Sequence, residues 1–270
     1  MEPFFLSIVI LLLTGIVAGL ASGMLGFGGA FILVPAQYWV LSNIYGIDDT
    51  ISIRIAFATS LAVVFPTSVA SAIGHSGQKS VLWKAAFFLG VTGFFGGIFG
   101  GVIATSVDGA VLKLIFSVLL FSTAGRMVYK SKKPVEREMM KNPFIFMGIG
   151  FFIGVLCGLL GLGGGLVMVP VLILFCNFPP KKAVGTSSGF ILFSSAGALI
   201  PYILFGSKVS FDLPFISIGY ISLFLFLILV AVSVPMAHAG TEISKRTDES
   251  YVRIIFAALL IITGLQMLIT

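Results

Sequence analysis

Charge is what this chain has least of: only 10% of its 270 residues are Asp, Glu, Lys or Arg, against 58% apolar. Mean hydropathy is +1.15. A soluble domain carries about a quarter of its residues charged, so a water-exposed globule is excluded and the bilayer becomes the solvent. Cysteine is nearly missing too. Cys157 and Cys176 stand in apolar surroundings with no CxxC or Cys/His cluster, which leaves buried packing rather than metal or redox chemistry. Nor does a carboxylate fall deep in an apolar run, since Asp48, Asp49, Asp108, Asp212 and Glu242 all lie in loops or at run ends. The usual intramembrane proton relay is therefore absent. No Ser/His or Asp/Asp pair and no His-rich or acidic cluster sits within a run, so the expectation is no enzyme, no metal site and no cofactor.

What charge there is has a sign and a place. The net charge of +6 comes from basic residues clustered between apolar runs, where they orient a membrane protein rather than bind nucleic acid. The apolar run from Phe4 to Leu20 has no basic residues before it, only Glu2, and has a mid-chain counterpart, Phe144 to Gly158, that cannot be a signal. It is expected to stay in the mature protein.

Glycine is abundant, at 32 residues, and it repeats. MLGFGGAFILVP (Met24 to Pro35) returns as LLGLGGGLVMVP (Leu159 to Pro170). A shift of 135 aligns Gly15, Gly19, Gly23, Gly26, Gly28, Gly29 and Pro35 with Gly150, Gly154, Gly158, Gly161, Gly163, Gly164 and Pro170, seven matches in 21 positions. AFATS (Ala56 to Ser60) then aligns with AVGTS (Ala183 to Ser187), and KLIFSVLLFSTAGRM (Lys113 to Met127) with RIIFAALLIITGLQM (Arg253 to Met267). The chain thus divides into a first repeat, residues 1–130, a charged linker, 131–142, broken by Pro134, and a second repeat, 143–270.

Each repeat reads as a glycine-broken pair of apolar segments followed by three long ones. The pairs are 4–24 with 29–42 and 143–159 with 164–176. The long segments are 54–73, 81–104 and 110–129, then 183–205, 213–238 and 251–269. The second arm of each pair, at roughly 20 Å, is short for a hydrocarbon core of about 30 Å. A hairpin within the membrane is the natural reading. If each pair crosses once, the repeats are parallel, with eight basic residues on the linker side and seven opposite. If each pair enters and returns, twelve lie on the linker side and three (Arg54, Lys113 and Lys208) opposite, with Arg126 near a helix end left out of both counts. The positive-inside rule selects the second arrangement: inverted repeats, a cytoplasmic linker and external termini. The fold class is an all-α polytopic membrane protein of two inverted repeats.

Two groups of residues carry candidate chemistry. At Gly28-Gly29-Ala30 and Gly163-Gly164-Gly165 a new helix begins, with free N–H donors and about half a positive charge from the macrodipole. Facing each other near mid-membrane, two such starts favour an anion. Gly15, Gly19, Gly23 and their mates, at a spacing of four, read instead as helix-packing positions. Thr59-Ser60 and Thr186-Ser187 follow basic residues, Arg54 and Lys181, at the start of a span. Their hydroxyls can either donate to an oxyanion or bond back to the helix. Arg54 and Lys181 lie at opposite mouths, where they either attract anions or snorkel. His75, in GHSGQK after the second long segment, reads as a solvated loop histidine, with a pH-sensitive gate as the alternative.

The phrases LGFGGAFILVP and LGLGGGLVMVP, each followed by AFATS or AVGTS, resemble the paired signature of the TauE/SafE family of sulfite and organosulfonate exporters. The resemblance covers the whole chain and implies a multi-pass transporter of the inner or plasma membrane that exports a small sulfur-containing anion. Ala56-Phe57-Ala58 and Val81-Leu82-Trp83 depart from the family pattern, which bears on specificity rather than fold. The expected partners are a small anionic substrate and membrane lipid, not nucleic acid, and a homo-oligomer stays open. The alternative is a transporter or channel for another small solute or a cation.

Overall fold

The computed structural model describes residues 2–128, 139–140, 142–207, 216–244 and 249–269. Most of the linker (131–138 and 141) lies outside these, as do Lys208, Asp212, Lys245 and Arg246.

Helices follow from the local sequence. In the first repeat, α1 (Glu2–Leu25) ends at Gly26, and α2 (Ala30–Trp39) is prolonged by a π-helical turn, Val40–Ile44. Then come α3 (Asp49–Gly77), α4 (Trp83–Ser106) and α5 (Gly109–Val128). The second repeat follows the same order: α6 (Pro143–Leu160), α7 (Gly165–Leu174), α8 (Pro180–Gly206), α9 (Leu223–Ile243) and α10 (Glu249–Ile269). Asp48 caps α3, its carboxylate accepting from the N–H groups of Thr50 (2.9 Å) and Ile51 (3.1 Å). Asn142 caps α6 by accepting from Phe144 N (3.0 Å), with Pro143 at the first helical position.

Among the described residues, α1, α3, α4, α5, α6, α8 and α9 are long and apolar enough to cross a membrane. The protein is an all-α, multi-pass cell-membrane protein. Large apolar side chains such as Phe5, Phe87, Phe95, Phe152 and Ile262 point outward, as lipid-facing positions require and water-facing ones would not tolerate in such number. One boundary differs from expectation. Residues 217–222, expected inside the segment 213–238, form a two-residue antiparallel ladder (β1, Ser217–Ile218; β2, Ile221–Ser222) instead. Gly219, at φ 59°, supplies the turn that makes the hairpin, and α9 starts only at Leu223.

Packing exchanges the halves. Helix α1 lies against α9, and its counterpart α6 lies against α4; α3 meets α8, and α5 meets α10. The glycines at spacing four make these contacts possible. A methyl group on Gly19 would come within 2.9 Å of Ser233 Cα, and one on Gly23 within 2.8 Å of Thr241 N, both on α9. On α6, one on Gly154 would lie 2.7 Å from Gly93 Cα, and one on Gly158 2.6 Å from Gly101 N, both on α4. In a bilayer, where burial against lipid gains little, such backbone-to-backbone approach supplies the van der Waals contact that holds helices together. The packing reading of these glycines is thus the structural one.

Candidate functional site

The two glycine turns are built alike. In the first, Gly26, Gly28 and Gly29 have φ of 65°, 80° and 73°; in the second, Gly161, Gly163 and Gly164 have 66°, 71° and 81°. Residues with a Cβ pay roughly 1–2 kcal/mol for this left-handed region, which accounts for three glycines in each turn. The chain doubles back as it leaves each turn. Gly29 lies against the Ala18 carbonyl of α1, and Gly164 against Ile153 and Cys157 of α6.

The turns meet between α3 and α8. A methyl on Gly28 would lie 3.1 Å from Val64 Cγ1 and 3.7 Å from Ile191 Cγ2; one on Gly163 would lie 2.8 and 3.2 Å from the same two atoms. A methyl on Gly165 would sit 2.8 Å from Phe27 Cα in the first turn. The N-termini of α2 and α7 are therefore brought side by side. All six of Gly28, Gly29, Ala30, Gly163, Gly164 and Gly165 are buried.

At the turns some carbonyls are paired, those of Phe27, Gly28, Gly161 and Leu162 have no protein donor among the described residues, and most helix-start amides are open. Some carbonyls released by the first break find protein donors: His75 Nε2 donates to Gly23 O (2.9 Å), Ser244 Oγ to Met24 O (3.4 Å) and Ser187 Oγ to Gly26 O (2.9 Å), while Ser22 O keeps the helical bond from Gly26 N (2.9 Å) and also takes Ser71 Oγ (3.3 Å). In the second turn, Tyr202 Oη donates to Gly158 O (2.9 Å) and Ser194 Oγ to Gly163 O (3.1 Å). The amides fare otherwise. Helical pairing resumes only at Ile32 and Leu33, which donate to Gly29 O, and at Val167 and Met168, which donate to Gly164 O. Among the described residues, the N–H groups of Gly28, Gly29 and Ala30, and of Gly164 and Gly165, have no protein acceptor, that of Gly163 faces the Cys157 sulfur, and neither helix has a side-chain cap.

The hydroxyl pairs divide by role. Thr59 Oγ1 accepts from Ser222 N at the start of α9, and Thr186 Oγ1 from Leu82 N at the start of α4, both at 3.1 Å. Each threonine thus receives the first orphan amide of a helix from the other half. Ser187 holds the first turn's carbonyl. Ser60, its counterpart, accepts instead from Gln37 Nε2 (2.7 Å).

The two basic residues are not equivalent. Arg54 is drawn inward: Nη2 donates to the Val107 carbonyl at the C-terminus of α4 (3.0 Å) and Nη1 to Tyr220 Oη (3.4 Å), while Nε is buried without a partner. Lys181 is exposed at the start of α8. His75 is not a loop residue. It lies in the last turn of α3, 3% exposed, because the helix runs on through the GHSG stretch to Gly77.

Sequence reading missed His75's role, Tyr202 and Gln37. The first two could have been found: a shift of 127 that aligns AFATS with AVGTS also aligns His75 with Tyr202, and both bond the last glycine carbonyl before a turn. Gln37 stands as the one amide side chain in α2, opposite Leu172 in the repeat.

Comparison with known proteins agrees with this architecture. The model of the family described as sulfite exporter TauE/SafE matches residues 11–267. The chain belongs to the TauE/SafE family. A probable membrane transporter protein of Methanocaldococcus jannaschii is 31% identical over 272 residues, covering 98% of this chain and 97% of that one. A probable membrane transporter protein of Bacillus subtilis is 28% identical over 219 residues, covering 74% and 80%. Sulfite exporter TauE/SafE family protein 6 of Arabidopsis thaliana is 30% identical over 100 residues, 36% of this chain and 23% of that one. No solved structure matches. As a TauE/SafE member and a relative of membrane transporters over its whole length, the chain is a membrane transporter.

Proposed function

We propose that this TauE/SafE transporter exports a small sulfur-containing oxyanion, such as sulfite or an organosulfonate, bound between the N-termini of α2 and α7. The observation that carries this reading is the set of buried amides without an acceptor at the two helix starts. A buried N–H without an acceptor costs free energy comparable to a lost hydrogen bond, and in a bilayer such groups persist only where something satisfies them. Five such donors, at two neighbouring helix starts that each carry the positive end of a macrodipole, favour a negatively charged ligand rich in acceptors. A cation would need the opposite: free carbonyls. The carbonyls of Gly23, Gly26, Gly158 and Gly163 already accept from His75, Ser187, Tyr202 and Ser194, while those of Phe27, Gly28, Gly161 and Leu162 have no protein donor among the described residues, so the binding test below decides between anion and cation.

Neutral donors suit transport. Backbone amides stabilise an anion without the cost of a buried countercharge that would hold it there. With the cytoplasm negative, expelling a monoanion is favoured by about 2.3 kcal/mol per 100 mV, so export can run as uniport. No catalytic step belongs to this reading.

The test is ligand-dependent stability of the purified protein in detergent, screened with sulfite, sulfate, thiosulfate, taurine and sulfoacetate. A ligand at a hundred times its Kd adds about 2.7 kcal/mol, a rise of several degrees in unfolding temperature. Stabilisation by sodium or potassium salts regardless of anion, with no oxyanion effect, would overturn the proposal.

A further inference from the structure

Gln37 is the polar group at the turns that nothing above explains. It lies on α2, the helix that starts at the first turn, and its side chain is fully buried. Its Nε2 donates to Ser60 Oγ at 2.7 Å, while its Oε1 has no partner. Its counterpart in the other repeat is Leu172, equally buried, so packing at this position does not demand an amide. Ser60 ties Gln37 to the stretch of α3 that packs on the second turn. Phe57, one helical turn before Ser60, touches Gly161 just as Val184, one turn before Ser187, touches Gly26. Ser187 Oγ shares its hydrogen between the carbonyls of Gly26 (2.9 Å) and Val184 (2.8 Å); Ser60 receives the amide of Gln37 instead. The repeats differ at this position, and what the difference adds is a lone buried acceptor on the helix that starts at the first turn.

Donors alone would hold any oxyanion. An acceptor among them discriminates, because it is satisfied only by a ligand that carries a hydrogen-bond donor of its own, and it repels a ligand whose every exposed oxygen is an acceptor. We infer that Gln37 is a specificity-determining residue whose Oε1 accepts a hydrogen bond from the substrate, so that the site prefers a protonated oxyanion, hydrogensulfite in class, over a fully deprotonated or alkyl-capped one. This rests on the anion site proposed above and names the substrate form it takes. Ser60 assists by holding the carboxamide through Nε2, which fixes the oxygen as the end turned away from α3.

The experiment compares two monoanions of similar size at one mildly acidic pH: hydrogensulfite, which carries a proton, and methanesulfonate, which carries a methyl group in its place. A single pH keeps the neighbouring titratable groups, Lys113 and Asp49 beside Tyr38, and Arg54 and His75 on α3, out of the comparison. Binding to the full-length protein in detergent is measured by calorimetry for the wild type, Gln37→Leu and Gln37→Met. Leucine copies the opposite repeat, and methionine keeps the length of glutamine, so at least one variant should fold. The expected result is a loss of about tenfold in hydrogensulfite affinity in the variants, with methanesulfonate affinity unchanged or improved. Equal loss for both anions would overturn the inference, since the amide would then serve any oxyanion as a donor. Wild-type affinity for both in the variants would overturn it as well. A wild type that binds neither anion would sink the anion site itself, a different failure.

Discussion

At the scale of single residues, the six positive-φ glycines of the turns do not all ask the same question. A side chain at Gly29 would run into the Ala18 backbone and one at Gly164 into the Phe190 ring (2.9 Å), so valine at either position tests packing as much as ligand approach. Gly28 is the cleaner probe, because a methyl there meets only Val64 and Ile191 side-chain carbons, at 3.1 Å and beyond. Gly28→Ala is expected to cost about 1–2 kcal/mol in backbone strain and to weaken sulfite binding at least tenfold, read by calorimetry on folded protein. Packing glycines should behave otherwise. Gly154→Ala drives a methyl into the Gly93 backbone and is expected to lower the unfolding temperature sharply. Gly148→Ala, with open space around it, should be neutral or stabilising by about 0.5–1 kcal/mol. The two cations separate in the same way. Arg54→Gln removes a partner from Val107 O and Tyr220 and should lower thermal stability at any salt. The exposed Lys181 has no such tie. Lys181→Gln should leave stability intact and reduce apparent anion affinity only at low ionic strength, where a Debye length exceeds roughly 10 Å.

At the scale of elements, the halves are stitched by reciprocal polar contacts. Thr59 and Thr186 each accept the leading amide of a helix from the other repeat. Thr59→Val strands a buried N–H, at about 1–3 kcal/mol, and Thr186→Val a part-buried one at less, while Thr→Ser should keep most of that stability; thermal unfolding in detergent distinguishes them. Tyr202→Phe leaves the Gly158 carbonyl unpaired and should cost a similar amount. It should not abolish anion binding, because the donors of the turn are amides. The other end of α2 is anchored separately: Lys113 Nζ donates to Tyr38 Oη (2.8 Å) and pairs with Asp49 (3.4 Å), tying α2, α3 and α5 together. The short helix is thus fixed at its far end, while its start carries unpaired amides.

At the scale of the whole molecule, the reciprocal packing of α1 on α9 and α6 on α4 supports two repeats related by a pseudo-twofold operation. The orientation in the membrane remains a proposal resting on basic-residue placement. Single cysteines at Ser131 and Lys245 should both resist an impermeant reagent added outside cells, while one at Asp48 should react. Labelling at 245 but not at 131 would return the parallel arrangement. The native cysteines give little background. Both are buried, away from a reagent in water.

The membrane class, the all-helical fold and the ends of most helices were legible without coordinates. These depend on local quantities: hydropathy over about 20 residues, glycine where φ must be positive, and caps such as Asp48 and Asn142. The family signature was legible for the same reason, since it is written in the turns themselves. What the fold alone decided is who meets whom. The hydroxyls of Thr59 and Thr186 look like ligand donors on a helix face, yet each is taken by a backbone amide more than a hundred residues away in sequence. His75 reads as a loop residue, yet it closes the Gly23 carbonyl. Gln37 is one amide in an apolar run until Ser60 is set against it. A hydrogen bond is satisfied or left open by a partner's position to within a few tenths of an ångström, and for partners on different helices that position exists only once the helices have packed.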